Sequence, residues 1–363
     1  MKPEELLEET SPNSLYTSYY YVSSDYDREI PEICDGSPIR EFSKVFQPCV
    51  QCLVFLIGIS GNMLVLLTYG FVKSIKSMTD IYLINLALAD LLLLLTLPFW
   101  SISAVIGWVF GDEICKMVQG VHAINFFSGI LFLACISIDR YFEIVQAVKA
   151  HTLRQRTLYY SKVITPILWL VSVIFSLPEF IYSESKQLDE FYSCIMVFPE
   201  NITSTVKSLS NFSQIILGFI VPFLVMVVCY SIIIRSVLSS RGFRKYKALK
   251  VIISVVVAFL VFQLPYTLVT FMEITDFLGS RQMSCDVGNR KNIAIIITSN
   301  LAFTRCCLNP IIYVFVGVNF RKDIFLLLKN FGCITRATFA SYYGSYRNSG
   351  TSVMTMETNS FTL

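Results

Sequence analysis

The chain has 363 residues, 54% of them apolar and only 15% charged, with a formal net charge of +3. Soluble domains carry roughly 25% charged residues, so this composition excludes a single soluble globule. The sequence has no metal-ligand spacing, no nucleophile beside a base and no phosphate loop, and His122 and His151 stand too far apart for a zinc pair. An enzyme is therefore not expected, nor a cofactor, a metal or a nucleic-acid partner.

Residues 1–43 hold ten acids against Lys2, Arg28 and Arg40, a net of −7, which leaves +10 for everything after them. Rich in Tyr, Ser and acid and poor in aliphatic side chains, this tail has too little apolar surface to fold alone. A field of one sign raises encounter rates with an oppositely charged partner. The tail suits capture of a basic ligand.

Seven runs with at most one charge follow: 45–72, 81–111 (holding Asp90), 117–138, 163–178, 208–234, 251–272 and 292–320 (holding Arg305). About 20 apolar residues, each rising about 1.5 Å, span the roughly 30 Å of hydrocarbon in a bilayer. The runs predict seven membrane-spanning helices, the fourth being the shortest. The loops after the first, third and fifth carry Lys73 and Lys76, then Lys149, Arg154, Arg156 and Lys162, then Arg235, Arg241, Arg244, Lys245, Lys247 and Lys250, with no acid among them. The positive-inside rule puts those loops in the cytoplasm and the amino terminus outside. No removable signal segment precedes 45, so the first span is expected to act as the insertion signal.

Cys34, Cys115, Cys194 and Cys285 all fall on the outer, oxidising side, which predicts two disulfides with three possible pairings. Asn201 in "NIT" and Asn211 in "NFS" are glycosylation sequons. Asp90 and Arg305 are charges at membrane depth, and such residues need a partner or a function. Pro98, Pro178, Pro222, Pro265 and Pro310 each lie in a span and are expected to kink it. Past the seventh span, Phe320, Ile324, Leu327, Leu328 and Phe331 make one apolar face, predicting an amphipathic helix over 319–332 that lies on the inner leaflet in contact with membrane lipids. Cys333 just beyond it suits palmitoylation. The tail 333–363 then carries eleven Ser and Thr residues, a composition suited to kinases and to an arrestin that reads the phosphates.

The motifs "GNMLVLL", "LALADLL", "SIDRY", "FQLPY" and "NPIIY", each in its own span and in this order, resemble those of a rhodopsin-class G-protein-coupled receptor. "TLPFW" in the second span, "IVQAV" after "DRY" and the four outer cysteines narrow the resemblance to chemokine receptors, and within them "VQAVKAHTLRQRTLYYSKV", "SLPEFIYS" and "FRKDIFLLLKNFGC" look most like the CC chemokine receptors of types seven and nine. That family implies an all-α membrane fold, a seven-helix bundle over 44–318 with a short eighth helix. It also implies a plasma-membrane location, a chemokine ligand, an inhibitory-type heterotrimeric G protein and arrestin, with chemotaxis and calcium signalling as the output.

By resemblance, Asp139 holds Arg140 at rest, Tyr141 supports the same surface, and release of Arg140 admits the G protein. Asn62, Asp90 and Asn309 resemble a buried polar network. Pro265 and Pro310 lie in the two most mobile helices, Tyr230 and Tyr313 resemble tyrosines that turn inward on activation, and Gln263 stands where many members have a switch tryptophan. On the ligand side the resemblance implies pairs Cys115–Cys194 and Cys34–Cys285, sulfation of Tyr26 between Asp25 and Asp27, and a pocket lined by Trp100 and Glu179.

Three departures from the family carry expectations of their own. Glu143 replaces a usual alanine one turn from Arg140 and is expected to compete for its guanidinium or repel an acidic partner, which raises the alternative of a scavenging receptor that internalises ligand without coupling. Ser299 stands where many CC receptors have a glutamate, so the pocket's acid comes from elsewhere or is missing. Many members hold a sodium ion at the acid equivalent to Asp90; here Arg305, four residues before Asn309, predicts an internal ion pair instead. A seven-helix light- or ion-driven pump is the alternative of another class, but it needs a chromophore lysine that 292–320 lacks.

Overall fold

The computed structural model describes residues 36–75, 77–188, 191–198, 212–213, 215–239, 243–278, 284–316 and 318–335. Tyr26 and its flanking acids, Cys34, Asn201, Asn211 and the carboxy-terminal Ser and Thr residues after Thr335 lie outside them. The helices are α1 (Ser37–Phe71), α2 (Met78–Leu94), α3 (Leu97–Ile106), α4 (Gly111–Val145), α5 (Ala147–Phe175), α6 (Leu177–Tyr182), α7 (Val221–Leu238), α8 (Phe243–Leu278), α9 (Cys285–Val316) and α10 (Val318–Asn330). A π-helical stretch, Ile216–Ile220, leads into α7.

Each span of the sequence reading finds its helix, with α2 and α3 sharing the second and α5 and α6 the fourth. Pro98 and Pro178 do more than bend the chain: each sits in the first turn of a new helix, after breaks at Thr96 and Ser176. A proline at a helix start loses nothing, because the amide it lacks would be unpaired there. Pro265 and Pro310 stay inside α8 and α9. The fourth span is longer than its charge-free run, because α5 continues the helix back through the basic stretch to Ala147.

Among the described residues six spans are long and apolar enough to cross a membrane: Ser37–Phe71, Met78–Ile106, Gly111–Val145, Arg156–Phe175, Ile216–Ser236 and Cys285–Ile312. The seventh is α8, which contains the charge-free run 251–272. Large exposed side chains such as Leu53, Leu56, Ile167, Leu170 and Val228 ring the bundle. In water they would form an aggregating surface; facing lipid they cost nothing.

The core divides along the bundle. At one end Trp100, Trp108, Leu97, Phe303 and the Cys115–Cys194 disulfide pack together. Toward the other end Leu86, Ile130, Leu133, Ile144, Met226, Tyr230 and Ile233 form a second cluster. A third, with Val65, Tyr69 and Ala87, receives Phe320 and Ile324 of α10. These two residues and Leu327 are buried, so this part of the apolar face packs on protein where the sequence pattern predicts contact with lipid, while Phe331 is exposed and meets Phe71 edge-on. Gly332, at a φ of +75°, ends the helix by turning its amide to the Lys329 carbonyl.

One two-stranded hairpin, β1 (Ser183–Leu188) against β2 (Phe191–Met196), has no counterpart in the sequence reading. Cys194, opposite Ser185, is bonded to Cys115 in the first turns of α4 with Cα atoms 5.5 Å apart, so the hairpin is stapled across the bundle end. Gly107, at a φ of +84°, lets the chain leave α3 and give the Trp108 amide to the Tyr192 carbonyl at 2.7 Å. A Cβ there would press on Phe191 as well as strain the backbone. Cys285, at the start of α9, is also disulfide-bonded.

Candidate functional site

Three polar sites stand out among the described residues of the bundle. The first stands at the end remote from the hairpin, where α4 delivers Asp139, Arg140 and Glu143. Arg140 Nη2 lies 2.9 Å from Asp139 Oδ2, and the same nitrogen donates to Thr79 Oγ1 at 2.5 Å. Thr79 in turn donates its hydroxyl to Asp139 Oδ2, closing a three-membered ring. Arg140 Nη1 is ion-paired to Glu143 Oε2. The sequence expectation for Glu143 is half met: it reaches the guanidinium, but shares it with Asp139. Their exposures differ, at 16% for the Asp139 side chain and 57% for Glu143. The Glu143 bond is thus screened by water more strongly than the Asp139 bond.

The surroundings tie this cluster to neighbouring helices. Tyr141 accepts a hydrogen bond from Gln146 at 3.0 Å. Tyr230 on α7 is buried with its hydroxyl 2.6 Å from Ser137, one turn before Arg140. Thr79 is held because Ser77 caps α2 and Asp80 completes a capping box, fixing the first turn of the helix. Neither Thr79 nor Ser137 was singled out from the sequence. Nothing in "SMTD" betrays a partner 61 residues later.

The second site lies deep in the bundle. Asp90 on α2 accepts from Asn309 Nδ2 at 2.9 Å and from Asn125 Nδ2 at 3.2 Å. The predicted ion pair between Asp90 and Arg305 is not formed: Arg305 Nη2 donates instead to Asn125 Oδ1, at 2.8 Å. One amide of α4 thus stands between the two charges, oxygen toward the base and nitrogen toward the acid. Gly129, one turn on from Asn125, makes room for the guanidinium; a Cβ there would lie 2.9 Å from Arg305 Nη1. Asn62 makes no hydrogen bond to Asp90. Its amide clamps α1 to α9 by donating to the Cys306 carbonyl at 2.9 Å. Gln263 and Pro310 are buried in their helices, and Tyr313 lies in α9 with its side chain outside the described residues.

The third site is at the hairpin end. Trp100 on α3 is buried against Trp108, ring centroids 5.9 Å apart, and Glu179 is buried in the first turn of α6. Ser299 spends its hydroxyl on the Ile296 carbonyl of its own helix. Asp276 near the end of α8 is ion-paired to Lys291 of α9. A ladder missed by sequence reading joins three helices here: Gln51 of α1 donates to Asn300 of α9 at 3.1 Å and accepts from Ser101 of α3 at 2.8 Å. The signal was present, as buried glutamines in an apolar span are costly unless satisfied. Arg40, at the start of α1, lies over the Phe191 ring of β2. Among the described residues no cluster of His, Cys, Asp and Glu is suited to a metal ion.

The sequence is similar to those of known proteins. The family profile described as "7 transmembrane receptor (rhodopsin family)" matches residues 61–313. The chain is 40% identical to human C-C chemokine receptor type 9 over 90% of its own length and 89% of the relative's. It is 42% identical to bovine C-C chemokine receptor type 7, over 91% of the chain and 87% of that protein. Human C-C chemokine receptor type 10 is 41% identical over 84% of each.

Proposed function

The chain belongs to the C-C chemokine receptors of the rhodopsin family of seven-transmembrane receptors, a multi-pass plasma-membrane protein and not an enzyme, and from that premise we propose how it works. The hairpin end and the acidic tail face outward and bind a basic CC chemokine; the Arg140 end faces the cytoplasm and engages an inhibitory-type heterotrimeric G protein, leading to chemotaxis and calcium signalling. The observation that carries this reading is the closed ring of Asp139, Arg140 and Thr79 at the end of α4. It holds by charge-assisted hydrogen bonds, strong enough to define a resting state and few enough to be exchanged for a partner's contacts.

The remaining assignments follow from this orientation. Residues 1–43 form the outer tail, with Asp25, Tyr26 and Asp27 as its capture point and Tyr26 as the sulfation site. Trp100 and Glu179 line the pocket that receives the ligand's flexible start, and because Ser299 supplies no charge, Glu179 carries the acid. Cys34 pairs with Cys285, and Asn201 and Asn211 carry glycans. Residues 44–318 are the bundle, 319–332 the inner-leaflet helix, and 333–363 a tail for receptor kinases and arrestin, with a palmitoyl chain on Cys333. Gln263, Pro265, Asn309, Pro310, Tyr230 and Tyr313 repack as the inner ends part.

A second reading is supported by the ion pair between Arg140 and Glu143. If that extra carboxylate keeps the guanidinium from the G protein, the chain is a scavenger that internalises ligand through arrestin alone. Purified CC chemokines screened against cells expressing the chain, with G-protein activation and arrestin recruitment read together, test both. A signalling receptor gives both responses to the same chemokine, and a scavenger gives only arrestin recruitment or uptake. Binding of no chemokine would overturn the two readings alike.

A further inference from the structure

Arg305 is a charge sealed inside a membrane bundle, 5% exposed, and charges so placed require a partner. Among the described residues its one hydrogen bond goes to Asn125 Oδ1, while its Nε and Nη1 are buried without a hydrogen-bond partner. A lone neutral amide is a poor reason to bury a guanidinium. What lies beyond that amide supplies the reason: Asn125 passes its own N–H to Asp90, at 3.2 Å. The two full charges, on α9 and α2, compensate each other through one polarised side chain of α4.

This geometry bears on the sodium ion that the receptor fold implies at the acid of the second span. A hard cation needs several oxygen ligands turned toward it. Here both Asp90 oxygens face N–H groups, those of Asn125 and Asn309. The neighbouring amide oxygen, which would be the next ligand, is turned away because Arg305 holds it. Gly129 leaves the guanidinium its room in the seam, since a Cβ there would lie 2.9 Å from Nη1. The residues do not fit a cation, because a fixed positive charge and the hydrogens it orients already occupy its place.

We infer that Arg305, acting through Asn125, is the built-in counter-cation of Asp90, and that the seam between α2, α4 and α9 takes no exchangeable sodium ion. Asn125 is the positioning residue: its orientation is set by Arg305 and decides what Asp90 sees. The resting state of this receptor is then held without regard to the sodium concentration around it. The contacts of this seam are the same whichever protein couples at the inner end.

The test is thermal unfolding of the purified full-length receptor in equal concentrations of sodium, potassium and choline chloride. The unaltered chain is expected to unfold at one temperature in all three. In Arg305→Gln the amide of Asn125 is released, Asp90 is left without compensation, and sodium should raise the midpoint by about 2 to 4 °C over the other salts. Asp90→Asn on that background should erase the rise. A sodium-specific rise in the unaltered chain that Asp90→Asn removes would overturn the inference, and this arm needs no Arg305 variant to fold. A folded Arg305→Gln that stays indifferent to sodium would overturn it as well.

Discussion

Arg140 and Arg305 stand on apolar helices of the same bundle and solve the same electrostatic problem in opposite ways. Arg140 keeps 20% of its side chain in contact with solvent and spreads its donors over Asp139, Glu143 and Thr79. Arg305 is sealed, and meets its acid only through the amide of Asn125. At the membrane edge water can take over any contact that is lost, so the bonds of Arg140 are exchangeable. In the interior nothing replaces a lost contact, so Arg305 is fixed. The first arrangement suits a latch and the second a permanent brace.

The contrast predicts its largest effect on stability. Arg305→Met keeps the volume but leaves Asp90 a buried acid without its cation, and removal of one member of a buried charge pair costs roughly 3 to 5 kcal/mol. The same change at Arg140 strands carboxylates that are partly exposed and that water can solvate, and should cost about 1 kcal/mol or less. Thermal unfolding of the two purified variants beside the parent measures the difference. Equal losses would break the distinction between brace and latch. For signalling the order reverses: Arg140→Met should abolish G-protein activation with ligand affinity nearly unchanged, since Arg140 lies at the end of the bundle away from the hairpin.

An intermediate effect is expected at Thr79. Its hydroxyl both accepts from Arg140 and donates to Asp139, so Thr79→Val removes two hydrogen bonds while preserving shape. Hydrogen bonds to charged groups are worth about 1.5 to 3 kcal/mol, and part of that loss is recovered here by water. A weakening of the resting state by about 1 kcal/mol multiplies the active population roughly fivefold. Ligand-independent G-protein activation should rise by about that factor, with arrestin recruitment rising alongside. No change in basal activity would mean that the Asp139–Arg140 bond alone defines rest.

How much of this was legible in the sequence depends on how far each partner lies along the chain. The seven spans are local facts, since each follows from the apolar character of its own run, and α10 follows from the spacing of Phe320, Ile324 and Leu327. The hairpin was invisible because its first strand, "SESKQL", has no apolar alternation; it is held by a disulfide and by paired backbone. Asp139, Arg140 and Asp90 could be named because a charge in an apolar helix is conspicuous. Thr79 and Asn125 could not, because small polar residues are common at helix starts and in spans, and only the packing of α2 and α9 against α4 gives them a role. The expected Asp90–Arg305 pair failed for the same reason. Spacing places two charges on neighbouring helices, but it cannot see a third helix putting an amide between them.

The smallest effect belongs to Glu143, and it decides how the latch is tuned. Its carboxylate shares the guanidinium with Asp139, yet more than half of the side chain is exposed at 57%. An exposed helix pair of this kind contributes about 0.3 to 0.5 kcal/mol, and salt weakens it further. Glu143→Ala should therefore raise chemokine-stimulated G-protein activation by about twofold, while leaving chemokine affinity and the unfolding temperature nearly unchanged. The gain should shrink when activation is measured on membranes at high ionic strength, because screening has already loosened the pair in the parent. Glu143→Gln separates charge from bulk: it keeps the side chain's size and should match alanine. If both variants behave as the parent at low salt, Arg140 owes its restraint to Asp139 and Thr79 alone, and the scavenging reading loses its support. If either restores coupling to a parent that has none, the exposed carboxylate is the lock and the buried ring only its hinge.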